Sequence, residues 1–305
     1  MRIRATVAAV TGALALSAFA VPAAQAVDGS PSKADISAAA HRAASGKTAY
    51  TGSDTGTPYA LNLKFSGVTV NGGKPIVVGP TNHAHVPVAF TVTHAADVDI
   101  TADDFFLDVE LYRGASYQNI DNLLWGDTWP TCTVKTATTA TCKGYVDIYS
   151  ADELDNVDAT TWKAGGYAIA YNGEDPTSDD IDLNKVGYAE QDGLATARLQ
   201  RHTTLTANAA PEPVKKGKTI TVTGKLSRAN WDTDTYTGYS GVYAQLQFRK
   251  NGSSTYSTVK SVKTTSTGGL STTVTASVDG YYRYNFVGTT TAPAVAAAGD
   301  FIDVR

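Results

Sequence analysis

Apolar side chains recur at every second position in segment after segment of this chain. Val86, Val88, Phe90 and Val92 do so, as do Phe105, Leu107, Val109 and Leu111, and later Val242, Ala244, Leu246 and Phe248. A period of two turns one face of an extended strand toward a core and the other toward solvent, whereas a helix needs a period near 3.6. Leu61, Leu63 and Phe65 begin the series, and Ile220, Val222 and Leu226 continue it. Asn71-Gly72-Gly73, Asn251-Gly252 and Gly268-Gly269 mark turns between such runs. The abundance of Thr, Val and Tyr suits pleated, half-buried surfaces. Many short strands with frequent turns predict an all-β fold, arranged as two tandem immunoglobulin-like β-sandwiches that follow a signal peptide.

The predicted boundaries are a signal peptide over 1–26, a flexible linker over 27–58, an acidic sandwich over 59–200 and a basic immunoglobulin-like domain over 201–305. Arg2 and Arg4 precede an apolar stretch running from Ala5 to Val21, and Ala24-Gln25-Ala26 is a small-x-small cleavage signal, which places the cut after Ala26. The competing reading, an uncleaved anchor, fits a short run beside a cleavage signal less well. The linker is rich in Ala, Ser, Gly and Thr, with a short Ala-rich helix expected over 33–45. Gln200 ends one expected strand and Thr203 begins the next, so the two sandwiches are expected to join stiffly. Residues 27–200 carry 11 Lys/Arg against 23 Asp/Glu, and residues 201–305 carry 12 against 6. Different fields on the two halves suit cations on the first and anionic polymers on the second, or reflect drift of a solvated surface. An acidic, exported chain is a poor partner for nucleic acid.

Two cysteines, Cys132 and Cys142, flank a run that reads as a hairpin with a three-residue loop at Thr136, Ala137 and Thr138. They then oppose each other at bonding distance, and a disulfide is expected in an oxidising compartment. The spacing fits neither a redox Cys-x-x-Cys nor a zinc site.

Several stretches together resemble a family. Met1-Arg2-Ile3-Arg4-Ala5-Thr6-Val7-Ala8-Ala9-Val10, Ala209-Ala210-Pro211-Glu212-Pro213-Val214-Lys215-Lys216-Gly217-Lys218, Leu246-Gln247-Phe248-Arg249 and Gly299-Asp300-Phe301-Ile302-Asp303-Val304-Arg305 are similar to exported tandem immunoglobulin-like proteins of high-GC Gram-positive bacteria. Some members of that family are labelled calcium-binding. The resemblance implies export and a sandwich fold, and it brings no catalytic motif.

Three groups of residues are candidates for binding. Glu174-Asp175-Pro176-Thr177-Ser178-Asp179-Asp180-Ile181-Asp182 is an oxygen-rich loop in which Asp175, Asp179, Asp180 and Asp182 are candidate calcium ligands, although the spacing is not that of an EF-hand. The alternative is a solubilising loop. His83 and His85 point the same way from an extended strand and suit a transition metal, but no third ligand follows from their neighbourhood. Trp231 and Tyr236 fall in an expected loop, with Trp125 and Trp129 in another, where they either stack on a ligand or cap a core. Lys215, Lys216 and Lys218, with Lys225, form a basic face suited to an anionic cell-wall polymer, or they guard an edge strand. There is no Gly-x-Ser-x-Gly, His-Glu-x-x-His or phosphate loop. The residues therefore point to a secreted, non-enzymatic binding or structural protein, without an obligatory cofactor, whose partner is a polysaccharide, an anionic polymer or a protein. A calcium-binding extracellular module and an exported hydrolase are the alternatives.

Overall fold

A computed structural model describes residues 56–305 except Thr177, Asp179 and Asp180. The expected signal peptide, and the linker as far as residue 55, lie outside the described residues. The first ten strands are β1 (Tyr59–Ala60), β2 (Leu63–Val70), β3 (Ile76–Val78), β4 (His83–His94), β5 (Phe105–Ser116), β6 (Asn119–Leu124), β7 (Thr131–Thr136), β8 (Thr139–Tyr149), β9 (Thr161–Ala170) and β10 (Gly187–Arg201). Four of them form a sheet in the order β2-β4-β8-β7. Facing it is a six-stranded sheet, β1-β10-β9-β5-β6, with β3 also on β10. One sheet thus takes the order A-B-E-D and the other G-F-C-C′, which is the immunoglobulin arrangement. β1 and β3 run parallel to β10, closing the edge that β10 would otherwise present.

The alternation read from the sequence is what closes this core. Val86, Val88, Phe90 and Val92 of β4 and Ala140, Cys142, Val146 and Ile148 of β8 are buried against Leu107, Val109 and Leu111 of β5 and Trp162 and Ala164 of β9. β4 and β8 pair without a break from His83↔Tyr149 to Thr93↔Thr139. The acidic segment after β8 makes a helical turn at Ser150–Glu153 and a 3-10 turn at Asn156–Asp158.

Ten more strands follow: β11 (Thr203–Leu205), β12 (Asn208–Ala210), β13 (Thr219–Asn230), β14 (Thr235–Gly238), β15 (Tyr243–Lys250), β16 (Ser257–Lys263), β17 (Gly269–Thr275), β18 (Gly280–Phe286), β19 (Val295–Ala296) and β20 (Asp300–Ile302). β11, β12, β14 and β17 all pair with β13 in one sheet. The other runs β16-β15-β18-β19, with β20 on β18. Between them lie Ile220, Val222, Leu226, Ala244, Leu246, Leu270, Tyr284 and Phe286.

The structure differs from the sequence reading in four places. Two expected strands over 186–190 and 194–200 are one, β10, carrying an irregularity between Gln191 and Ala195 where Gly193 takes φ 64°. The hairpin between β7 and β8 closes with Thr136 opposite Thr139, a tighter turn than three residues. Of the expected loop around Trp231 and Tyr236, Trp231 does lie in the 231–234 turn, but Tyr236 belongs to strand β14, opposite Ala229. Finally, the outer face of the six-stranded sheet is covered. Ile181, Leu183 and Val186 from the segment after β9 pack on Tyr167, Ile169 and Tyr188, forming a third apolar cluster.

A tyrosine of β18 braces the second core from within. The Tyr284 hydroxyl crosses the second core and donates to the carbonyl of Val222 at 2.8 Å, and burial pushes its pKa up to about 12. Tyr284→Phe removes this buried hydrogen bond, so chemical denaturation is expected to show a loss of about 0.5–1.5 kcal/mol. Cys132 and Cys142 are bonded, with Cα atoms 4.0 Å apart. Reducing the bond frees a short loop and is expected to lower stability by about 2–3 kcal/mol, measured by denaturation with and without reductant.

Candidate functional site

The loop of residues 125–130, between β6 and β7, joins two exposed features of the first pair of sheets. At one end Trp129 is 53% exposed. Its ring packs on Phe106 at 5.0 Å between centroids and meets Tyr167 at 6.5 Å. It lines a groove of about 240 Å³ with Ile100, Phe105, Phe106, Pro130, Cys132 and Val134. Val134 is also exposed, because β7 is an edge strand with one free flank. The groove offers polar as well as apolar surface beside the exposed indole, an arrangement that accepts a flat ring or a partner side chain.

At the other end the loop crosses β8. Asp147 donates its N–H to the carbonyl of Trp125 at 3.0 Å, and the N–H of Asp127 donates to Asp147 Oδ2 at 2.8 Å. Odd-numbered residues of β4 and β8 face outward here, since the even-numbered ones fill the core. The register sets His85 opposite Asp147 and His83 opposite Tyr149. His83 Nε2 and His85 Nδ1 both donate to Asp147 Oδ1, at 2.8 and 2.7 Å. His83 stacks on Tyr149 at 4.2 Å and His85 on Tyr145 at 3.6 Å. The Tyr149 hydroxyl in turn donates to Asp127 Oδ2 at 2.6 Å. Asp147 is almost fully buried although it lies on an outer face, because loop and rings cover it. Burial works to raise its pKa, but the hydrogen bonds from His85 and His83 outweigh that and hold the carboxyl below its ordinary value. His94, at the far end of β4, is buried and apart from this group.

The other predicted residues fall elsewhere. Lys215, Lys216 and Lys218 are exposed in the turn before β13. Lys218 N–H donates to Lys215 O at 3.0 Å, Gly217 takes φ 80°, and Lys216 N–H donates to Arg305 O at 2.8 Å. The ammonium groups therefore share one end of the second pair of sheets with the chain's last arginine. In the acidic loop, Asp179 and Asp180 lie outside the described residues. Asp182 Oδ1 accepts from the backbone and side chain of Asn184 at 3.1 and 2.9 Å. Glu174 pairs with Lys185 at 2.6 Å, and Asp175 is exposed beside it.

Trp231 is corrected by the structure. It is 2% exposed and belongs to the first core, so it is unavailable to a ligand. It anchors a seam between the two halves of the chain. Its Nε1–H donates to Gly79 O at 3.0 Å, and its N–H to Asn156 Oδ1 at 3.1 Å. Asn156 also bonds Asn230 at 2.6 Å. Arg201 Nε donates to Ala229 O at 2.6 Å, and burial, then the charge of Arg228, lowers its pKa to about 10. Tyr236 is half exposed, with its hydroxyl 2.9 Å from His202 Nδ1. Only His202 separates β10 from β11.

The sequence reading named the two histidines and missed Asp147, Tyr145 and Tyr149. Alternation through Tyr145-Val146-Asp147-Ile148 already set Asp147 outward, but which strand lay beside it was not written there. No helix among the described residues is long and apolar enough to cross a membrane.

No protein-family model matches this chain, and no curated protein does. Among solved structures it is similar to the fibronectin(III)-like modules of Clostridium thermocellum CbhA, with 11% identity over 78% of this chain and 92% of that one, at a TM-score of 0.26. It is similar to the tandem Ig repeats of Dlar, with 11% identity over 81% and 99%, at 0.20. The Yersinia pseudotuberculosis adhesin InvE matches with 13% identity over 79% of this chain and 58% of that one, at 0.22. The class of the protein, immunoglobulin-like β-sandwiches in tandem, rests on its strand order and buried faces, to which likeness at these scores adds nothing.

Because Trp231 fills the first core from the β13–β14 turn of the second half, Trp231→Ala opens a cavity in the seam. Denaturation is expected to show a loss of about 3–5 kcal/mol, against no more than about 1 kcal/mol for Tyr236→Phe at the half-exposed edge.

Proposed function

We propose that this chain is an exported, non-enzymatic binding or structural protein of the cell surface, and that it engages an extracellular polysaccharide through the groove beside Trp129. The observation that carries this is the exposed indole held over Phe106 and Tyr167 at the side of a groove with both polar and apolar lining. A large exposed aromatic held by other rings loses little freedom when a sugar ring stacks on it. The disulfide supports an oxidising destination, and the arginines and apolar run before Ala26 support export. The seam supports a structural role, since it fixes the groove relative to the second half of the chain.

Lys215, Lys216 and Lys218 support an additional, salt-sensitive contact with anionic polymer. Co-sedimentation of the purified protein with insoluble cell-envelope polysaccharide tests the reading. Trp129→Ala is expected to weaken retention at least about tenfold, while alanine at the three lysines lowers it modestly and only at low salt. Equal retention of wild type and Trp129→Ala sinks the groove as the contact. Recovery of a secreted chain beginning at Val27 with Cys132 and Cys142 oxidised checks export.

A further inference from the structure

We infer that His83, His85 and Asp147 form a binding site for one divalent transition-metal ion, of which Zn²⁺ is the best fit. His83 Nε2, His85 Nδ1 and an Asp147 carboxylate oxygen all lie within 4.8 Å of one another. Zinc holds such ligands at about 2.0–2.2 Å, so the present arrangement reaches a shared ion with shifts on the order of 1 Å. Two imidazoles and one carboxylate suit zinc, copper or nickel, whereas calcium requires six to eight oxygens.

The supports for these ligands are already in place. Tyr149 and Tyr145 stack on the two rings and fix their planes. Asp127 N–H holds the second carboxylate oxygen, so that the first is the one offered to the histidines. Removal of the present hydrogen bonds by an ion leaves nothing unpaired. The imidazole proton now given to Asp147 moves through solvent to the other ring nitrogen, and the metal takes the vacated lone pair on each ring. Both histidine side chains are about half exposed, at 47% and 53%. The ion would therefore sit at the surface with at least one position open to water or to a donor group on a partner. The excess of acidic over basic residues in 27–200 favours a cation there.

This assignment is independent of the polysaccharide reading, because it is measured on the purified protein alone. The full chain, stripped with chelator, is titrated with ZnCl₂ by calorimetry, and with CoCl₂ while the visible d–d spectrum is recorded. The expected result is one ion per chain, with Co²⁺ bands of a four- or five-coordinate nitrogen- and oxygen-ligated site. His83→Gln and His85→Gln, both half-exposed positions on an outer sheet face, are each expected to weaken Zn²⁺ at least about tenfold. Thermal unfolding verifies that both variants remain folded. His202→Gln, a histidine outside the group, is expected to bind as wild type does. Absence of Zn²⁺ binding, or binding unchanged in both His83→Gln and His85→Gln, overturns the assignment, as does its loss in His202→Gln alone.

Discussion

The pairing of β4 with β8 is the constraint on which the first half of the molecule depends. Its register runs unbroken from His83↔Tyr149 to Thr93↔Thr139, and it turns Val86, Val88, Phe90, Val146 and Ile148 into one core. A slip by one residue would exchange the two faces, exposing that valine-rich row and burying two histidines. The same register that seals the core therefore brings His85 and Asp147 together on the outer face. No further device is needed to assemble the group, only loop 125–130 and two tyrosine rings to hold it still.

The second constraint is the seam. Tandem sandwiches joined by a single residue are stiff only if that joint is backed by side chains. Here β10 and β11 are separated by His202 alone, and Trp231 inserts from the β13–β14 hairpin into the neighbouring core. Arg201 is buried with its Nε on Ala229 O, a costly place for a guanidinium that its lowered pKa reflects. Such a joint is backed by side chains from both halves rather than by the connecting residue alone.

Much of this was legible in the residues. Alternation located the long strands, because burial on one face is a local property written at every second position. Cys132 and Cys142 were legible as partners because a short hairpin brings its own two arms together. The long-range choices were not legible. Nothing local to Asp147 says that β4, sixty residues earlier in the chain, lies beside it, and nothing local to Trp231 says that its indole fills another sandwich. The covered outer face was hidden for a different reason. Asp108, Glu110 and Tyr112 alternate as solvent-facing residues should, yet all three are buried. A loop carrying Ile181 and Leu183 packs over the neighbouring part of that face, and Tyr117 folds back against Gly165, where a Cβ would lie 2.6 Å from its ring.

Asp147 asks more of the chain than its place in the sheet requires. A threonine or tyrosine on the outer face of β8 would serve the sheet well, and burying a carboxylate costs several kcal/mol before any partner is supplied. The chain instead keeps a buried carboxylate and surrounds it with the donors that its charge demands: two imidazoles on one oxygen and a backbone N–H on the other. Each imidazole is further clamped by a stacked tyrosine, which the carboxylate alone does not require. Positions that break a local rule while being supported on every side are those where function, more than stability, has chosen the residue. An imidazole can also shift its proton to the other ring nitrogen and present a lone pair to a metal ion at the surface, which an arginine or lysine partner for Asp147 would not do. The choice of histidine at both positions is thus the part of the arrangement that charge compensation does not explain and metal binding does.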